Sequence, residues 1–279
     1  MNRKTTILER YDRSTSVKAV ERIGASAISN IQVAGRAVLL FLDACAHLPQ
    51  IGRSAATLVR QIDVSGIGSI VVLSLIAFLT GMIMAVQTGS ELEKFGVISN
   101  LGAIIGATFV REMGPIWAAI IMLSRVGAAM AAELGTMTVN EEVDALRVMS
   151  INPVRFLVLP RILALVIAMP LLTVLADIVG MMGGAMVASQ MFNRPTDEFM
   201  ASARSVITGL DFFSGLGKSV VFGAIIGTIA CDRGLNTTDG PEGVGRATTQ
   251  TVVLSVVFVL LSDLVMTSFV QVFLKQAVG

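Results

Sequence analysis

The stretch Val110-Arg111-Glu112-Met113-Gly114-Pro115 places a cation and an anion side by side in an otherwise uncharged run. No charged residue lies between Phe95 and Val110, and none lies between Met113 and Ser124. Such a run predicts a membrane helix, in which one central charge costs about 2.5–3.5 kcal/mol on insertion scales. A chain tolerates this cost when the charges face protein or water rather than lipid. The pair therefore predicts an internal polar cavity, and such a cavity indicates transport.

The composition of the whole chain also indicates a membrane protein. Hydrophobic residues make up 54% and charged residues 15%, whereas soluble domains contain about 25% charged residues. The net charge of +1 gives no broad electrostatic reason to bind nucleic acid. Cys45, Cys231 and the single histidine, His47, have no metal-ligand spacing. We therefore expect no metal site and no catalytic residues in this chain.

Five hydrophobic stretches are long enough to cross a bilayer, which requires about 20 residues. We place them at 64–89, 101–129, 156–191, 212–231 and 247–274. The third stretch is either one kinked helix or a helix with a re-entrant segment, because it contains Pro160 and Pro170. The sequence therefore predicts an all-α integral membrane protein with about five transmembrane helices.

The segment 31–60 precedes these spans and is too polar to cross a membrane. It predicts an amphipathic helix lying along the membrane surface, and a soluble helical hairpin packed on the protein is the alternative. Residues 1–30 are mixed in charge and lack an apolar core, which is unlike a cleaved signal peptide. We expect them to form an N-terminal cytoplasmic extension.

The distribution of Lys and Arg predicts the orientation. Fifteen of these residues lie before the first span and in, or at the edges of, the second–third and fourth–fifth connections. The other side carries only four, which are Lys94, Arg194, Arg204 and Lys275. We therefore expect the N-terminus in the cytoplasm and the C-terminus on the outer side.

The cytoplasmic connection 133–149 predicts a short helix between the second and third spans. Thr138 and Glu141 have the spacing of a capping box, and Val143 and Leu146 begin an apolar stripe at helical spacing. A capped helix just outside the membrane can dock in a groove of a soluble partner. An ordinary solvated loop helix fits the same pattern.

A series of motifs resembles the MlaE-type permease family over about residues 31–273, which is nearly the whole chain. The motifs are REMGP at 111–115, SRVGAA at 124–129, AELGTM at 132–137, EVDAL at 142–146, NPVR at 152–155, LPR at 159–161, LTVLAD at 172–177 and GPEGVGRATT at 240–249. The resemblance implies one permease domain over 31–279. It also implies the membrane subunit of an ABC transporter that moves phospholipid or another hydrophobic molecule between membranes.

The resemblance implies the partners of the chain as well. Two permease copies pair, each copy binds a cytoplasmic ATPase, an MCE-domain protein lies on the outer side, and a small STAS-domain protein often lies inside. This chain would need no cofactor of its own, because ATP and Mg²⁺ would be bound by the ATPase. The expected location is a bacterial inner membrane, and a relative in a plastid envelope would look similar.

The resemblance also assigns roles to individual residues. Arg111 and Glu112 would face a lipid cavity between the two copies, with Arg111 as a counter-charge for Glu112. The segment 133–149 would be the coupling helix that enters the ATPase, through Glu133, Thr138, Glu141, Glu142, Asp144 and Leu146. The remaining intramembrane charges, which either pair structurally or line the pathway, are Arg125, Asp177, Lys218 and Asp263.

Two other functions are weighed against that of an ABC transporter permease: nucleotide binding by this chain and proton-coupled transport. The segment GLGKS at 215–219 resembles the end of a phosphate-binding loop, but Phe212 occupies the position of its first glycine. Nucleotide binding by this chain is therefore not expected, and the chain is not expected to be an enzyme. A proton-coupled secondary transporter of a hydrophobic substrate, with Glu112, Asp177 and Asp263 as a relay, is the alternative function.

Overall fold

The computed structural model describes residues 35–47 and 55–274, and these residues form helices without strands. The helices are α1 at 35–46, α2 at Leu58–Lys94, α3 at Ile98–Val139, α4 at Glu142–Val148, α5 at Val154–Met191, α6 at Thr196–Val206, α7 at Gly209–Leu235 and α8 at Gly240–Val272. The predicted extension 1–30 lies outside the described residues, as do 31–34 and 48–54 of the predicted surface helix and 275–279.

Five of these helices, α2, α3, α5, α7 and α8, are long and apolar enough to cross a membrane. This confirms the predicted all-α fold and the predicted number of spans. The third span is one helix, α5, which continues through Pro170. Of the two readings of this span, the re-entrant one is therefore wrong. Membrane helices tolerate an internal proline when neighbouring helices pack around it, as they do around α5.

The short helix α6 was not expected from the sequence, because it is too short and too polar to resemble a span. Its Phe199 and Ala203 are buried, and it packs on the first part of α3. The connection between α5 and α7 is therefore a folded element. It lies at the end of the bundle opposite α4, which we call the distal end; the other end is the α4 end.

Glycines allow the central helix α5 to approach α2 closely. A Cβ atom added at Gly81 would overlap the carbonyl of Gly180, and one added at Gly183 would overlap the carbonyl of Phe78. Small residues at such contacts let helix backbones meet, and this close packing is what holds helices together in lipid. The abundance of glycine in the chain is therefore explained in part by the contact between α2 and α5.

Several helices contain a wide turn of the π-helical type. These turns are Asp63–Ile67 in α2, Phe109–Met113 and Leu123–Gly127 in α3, Val154–Val158 in α5 and Val270–Leu274 at the end of α8. Turns of this type are frequent at functional sites. The turn Phe109–Met113 contains the Arg–Glu pair from which the sequence analysis began.

The helix α1 lies at the α4 end, where both of its ends contact the bundle. Arg36 Nε is 3.5 Å from Asp232 Oδ1 in α7, and His47 Nε2 is 3.4 Å from Asn152 Nδ2 before α5. Between them, Ala44 is buried in a cluster with residues of α3, α4 and α5. The prediction of a helix here is confirmed for residues 35–46.

A Gly81→Ala substitution should destabilise the protein, because its methyl group would force α2 away from α5. Overpacking of this kind costs about 1–3 kcal/mol. The midpoint of thermal unfolding in detergent should fall. Gly217→Ala on α7 is the matched control, since nothing lies within 4 Å of the Cβ added there. An equal effect of the two substitutions would contradict the close contact.

Candidate functional site

Charged side chains from three helices meet in the distal half of the bundle. Arg111 and Glu112 come from the π-type turn of α3, Asp211 and Lys218 from α7, and Asp263 from α8. We call these residues, together with Thr267 of α8, the polar cluster.

The backbones of α3 and α7 touch at this level. A Cβ atom added at Gly215 would overlap the carbonyl of Val110, one residue before the Arg–Glu pair. Glycine at this position therefore allows the side chains of α7 to reach that pair.

Arg111 binds Asp211 through two parallel hydrogen bonds. Its Nε donates to Oδ1 at 2.8 Å and its Nη2 donates to Oδ2 at 3.0 Å. Asp211 is fixed in turn by a capping box at the start of α7, in which the Thr208 backbone and hydroxyl donate to its Oδ2. Two-pronged pairs of this kind are the strong, geometrically specific ones. The counter-charge of Arg111 is thus Asp211 and not Glu112, which the resemblance implied.

Lys218 is the partner of Glu112. The ammonium group donates to Glu112 Oε2 at 2.6 Å, to Thr267 Oγ1 at 2.6 Å and to the carbonyl of Arg111 at 3.0 Å. Thr267 then donates its own proton to Glu112 Oε1 at 3.0 Å. An ammonium has three donors, so these three acceptors use all of them.

Asp263 completes the cluster through charge alone. Its Oδ1 lies 2.9 Å from Lys218 Nζ, yet this buried oxygen has no hydrogen-bond partner among the described residues. The contact with Asp263 is therefore an ion pair, whereas the hydrogen bonds of the ammonium go to the other three acceptors. Two cations and three carboxylates give the cluster a formal charge of −1 when all of them are ionised. Asp263 is therefore the least satisfied member.

Only part of the cluster is open to a ligand. The side chains of Arg111 and Glu112 are 29% and 28% exposed, whereas those of Asp211 and Lys218 are 3% exposed. A small cavity beside them is also lined by Ser214 and Gln271. The reachable groups are thus one guanidinium and one carboxylate next to each other, which can bind a headgroup that carries both charges.

The other intramembrane charges lie outside this cluster. Arg125 donates from Nη1 to Ser69 Oγ at 2.8 Å. Asp177 is 4% exposed, and its Oδ1 has no hydrogen-bond partner within the described part of the chain. It packs against Gly114, where an added Cβ would overlap the carboxylate. Among the four charges that the sequence left as structural pairs or pathway residues, the structure pairs Asp263 with Lys218.

The predicted coupling segment 133–149 is divided between the end of α3 and the separate helix α4. Glu133 lies within α3 and pairs with Arg161 Nη2 at 2.9 Å. Thr138 also lies in α3, and its hydroxyl donates to carbonyls of Leu134 and Gly234. The predicted capping box is therefore wrong, because the Thr138 hydroxyl is used within the bundle and α4 begins after Glu141 without a side-chain cap.

The helix α4 projects from the bundle with a mixed surface. Its Val143 is buried. Its Leu146 packs against the hydrophobic cluster that contains Val143 and Ala44, so both side chains face the rest of the protein. Val148 and Met149 are instead 86% and 61% exposed. The exposed charged residues of this segment are Glu141, Glu142, Asp144 and Arg147. A soluble partner would thus meet an apolar tip flanked by charges.

Sequence reasoning missed Asp211, Thr208 and Thr267. Thr208 and Asp211 have capping-box spacing at the start of the fourth span, which was a usable signal for the start of α7. Their contact with Arg111 depends on how α7 packs against α3, and spacing along the chain does not carry that information. Thr267 resembles any other small polar residue in a membrane helix.

Comparison with known proteins gives one family. The family model for the permease MlaE matches residues 58–269. A probable ABC transporter permease protein of Rickettsia typhi is 37% identical over 210 residues, which are 75% of this chain and 81% of that protein. A probable ABC transporter permease protein of Synechocystis is 36% identical over 204 residues, 73% and 78% of the two chains. The chloroplast protein TRIGALACTOSYLDIACYLGLYCEROL 1 of Arabidopsis thaliana is 35% identical over 237 residues, 85% and 66% of the two chains.

A Lys218→Met substitution should destabilise the protein strongly, because it removes the buried cation that pairs with Glu112 and Asp263. Removing one partner of a buried ion pair costs about 3–5 kcal/mol. Thermal unfolding in detergent measures the loss. Adding Glu112→Gln and Asp263→Asn should recover part of it, since the uncompensated charges are then gone. A single variant as stable as the wild type would contradict the role of the lysine.

Proposed function

The chain belongs to the MlaE permease family, and we propose that it is the membrane subunit of an ABC transporter for lipid. In this proposal it moves phospholipid, or a related hydrophobic molecule, between the bacterial inner membrane and an MCE-domain protein on the outer side. A separate ATPase supplies the energy. The N-terminus is cytoplasmic, the C-terminus is periplasmic, and a STAS-domain protein can complete the assembly.

The polar cluster is the observation that carries this proposal. It presents Arg111 and Glu112 inside a bundle of helices that are apolar enough to cross a membrane. Ionisable residues within membrane helices usually face the bundle interior or a pathway and mark function. A site with neighbouring charges and apolar surroundings fits an amphiphile, whose headgroup meets the charges while its chains remain in apolar surroundings. The name of the Arabidopsis relative, which contains that of a galactolipid, also supports a lipid cargo.

The exposed surface of α8 favours pairing of this chain with a second copy of itself. Little of the hydrophobic stretch of α8 is buried within one chain. Val257, Leu260 and Leu264 are exposed on this helix, which also carries Asp263. A second copy packed on this face would cover the open side of the polar cluster and make one cavity from two halves.

The segment GLGKS at 215–219, which resembles the end of a phosphate-binding loop, lies within the helix α7. Lys218 is buried in the polar cluster, and Ser219 donates to the carbonyl of Leu216 within α7. Neither side chain is presented to a nucleotide. This supports ATP hydrolysis by a partner subunit, which would dock on the exposed tip of α4.

A proton-coupled transporter is the second candidate, and one observation favours it. Asp177 has a buried carboxylate oxygen without a hydrogen-bond partner among the described residues. Carboxylates inside membrane helices occur in proton relays. Transport in liposomes that contain this chain and no ATPase would favour this candidate over the first.

A Glu112→Gln substitution should lower ATP-driven lipid transfer at least about tenfold while the complex stays assembled, since it removes the reachable negative charge; hydrogen bonds to charged groups contribute about 1.5–3 kcal/mol. Transfer of a fluorescent phospholipid from proteoliposomes to the purified MCE-domain protein measures it. Glu91→Gln on exposed Glu91 at the distal end of α2 is the control. Unchanged transfer by Glu112→Gln would remove this residue from the lipid site.

A Val148→Asp substitution should weaken binding of the ATPase, because it places a charge at the apolar tip of α4. Co-purification of the ATPase with the tagged permease measures binding. Val206→Asp makes the same change at a partly exposed valine of α6, at the distal end, and should not affect the complex. Normal ATPase recovery with Val148→Asp would exclude this tip as the docking surface.

A further inference from the structure

A second site lies on the α4 side of the polar cluster, next to α1. An apolar cavity of about 420 Å³ separates α1 from α5, α7 and α8. Phe41 of α1, Val166 of α5, Ala224 of α7 and Phe258 of α8 are among its walls. Its volume falls within the range of about 300–1,000 Å³ that is typical of small-molecule sites. It shares no lining residue with the polar cluster.

The walls of this cavity accept only an apolar occupant. The single hydroxyl among them belongs to Thr228, and it donates to the carbonyl of Ala224 in the same helix at 2.6 Å. The wall formed by α7 runs from Val220 to Ile229, which is about 13 Å along a helix at 1.5 Å per residue. The cavity is therefore elongated along the bundle, as a hydrocarbon chain requires.

A positive rim lies at the α4 end of the cavity. Asp232 lies one turn beyond Thr228 on α7, and Arg36 directly precedes the lining residue Ala37 on α1. The Asp232 carboxylate is 3.5 Å from Arg36 Nε and 3.5 Å from Arg233 Nε. One carboxylate thus faces two guanidinium groups, and no second carboxylate pairs with either of them in the described part of the chain. The rim keeps a net charge of +1.

We propose that this cavity binds an anionic phospholipid of the surrounding bilayer. The phosphate and the acidic headgroup would lie at Arg36, whose side chain is 48% exposed, with the largely buried Arg233 adding positive charge behind it. One acyl chain would fill the space under α1. Charge complementarity selects this occupant, because an entirely apolar wall and a positive rim together match an amphiphile with a negative head. The bound lipid would link α1 to α7, the helix that also carries Lys218. This inference rests on the chain being a membrane protein and does not depend on the transported cargo.

Native mass spectrometry of the full chain in detergent tests the site. The protein is incubated with dioleoyl phosphatidylglycerol or, separately, with the same concentration of dioleoyl phosphatidylcholine. The wild type should retain one phosphatidylglycerol per chain, in preference to phosphatidylcholine. Arg36→Gln should reduce that preference by about tenfold, since hydrogen bonds to charged groups contribute about 1.5–3 kcal/mol. Ala224→Phe, which fills the cavity, should abolish the preference for phosphatidylglycerol.

Two substitutions at the distal end are the matched controls. Arg204→Gln and Ala201→Phe make the same chemical changes at exposed residues of α6 and should leave lipid retention as in the wild type. The Arg36 side chain is partly exposed, so Arg36→Gln should fold. It therefore tests the site even if Ala224→Phe does not fold.

Three results would overturn the proposal. They are a wild type that retains no phosphatidylglycerol, equal retention of the two lipids, and an Ala224→Phe variant that binds as the wild type does. If Ala224→Phe converts dimers to monomers without loss of lipid, a second copy of the chain covers the cavity instead. Loss of lipid transfer with normal retention would count against the proposed function and leave this site intact.

Discussion

The ammonium of Lys218 is the group on which the arrangement of the membrane helices depends most. It is buried, and its acceptors come from two other helices, α3 and α8. A charge in this position is tolerated only when its partners surround it. Moving α8 along its axis would lengthen the contacts of Lys218 with both Asp263 and Thr267. The ion pairs therefore fix the relative positions of helices whose apolar surfaces specify register only weakly.

Close backbone contacts make this arrangement sterically feasible. Gly215 brings α7 against the carbonyl of Val110, so that Lys218 and Asp211 reach the Arg–Glu pair from one side. The contact of α2 with α5 through Gly81 and Gly183 is similar, although it involves no charges. Small residues thus provide contact area, while charged residues provide specificity. In lipid the two are complementary, because packing alone does not distinguish one apolar face from another.

The sequence predicted the features that depend on local composition. Length and hydropathy were enough for five spans, and the isolated charges were enough to infer a sheltered polar site. The pairing of side chains was harder to predict, because it depends on the packing of helices that are far apart in the chain. Arg111 and Asp211 are one hundred residues apart, and adjacency favoured Glu112 as the partner instead. Thr138 was misassigned for a similar reason, since its hydroxyl contacts Gly234 of another helix.

The helix α3 connects the polar cluster, which is the proposed lipid site, with α4, which is the proposed docking site of the ATPase. It carries Arg111 and Glu112 in its distal half, and it ends at Val139, three residues before α4 begins. A displacement of α4 by a bound ATPase would therefore act on the polar cluster through one continuous helix. That helix contains two π-type turns, at Phe109–Met113 and Leu123–Gly127, and such turns are the places where a helix departs from regular geometry. The first of them holds the cluster residues themselves, so a change in its winding would alter the contacts of Arg111 and Glu112 directly.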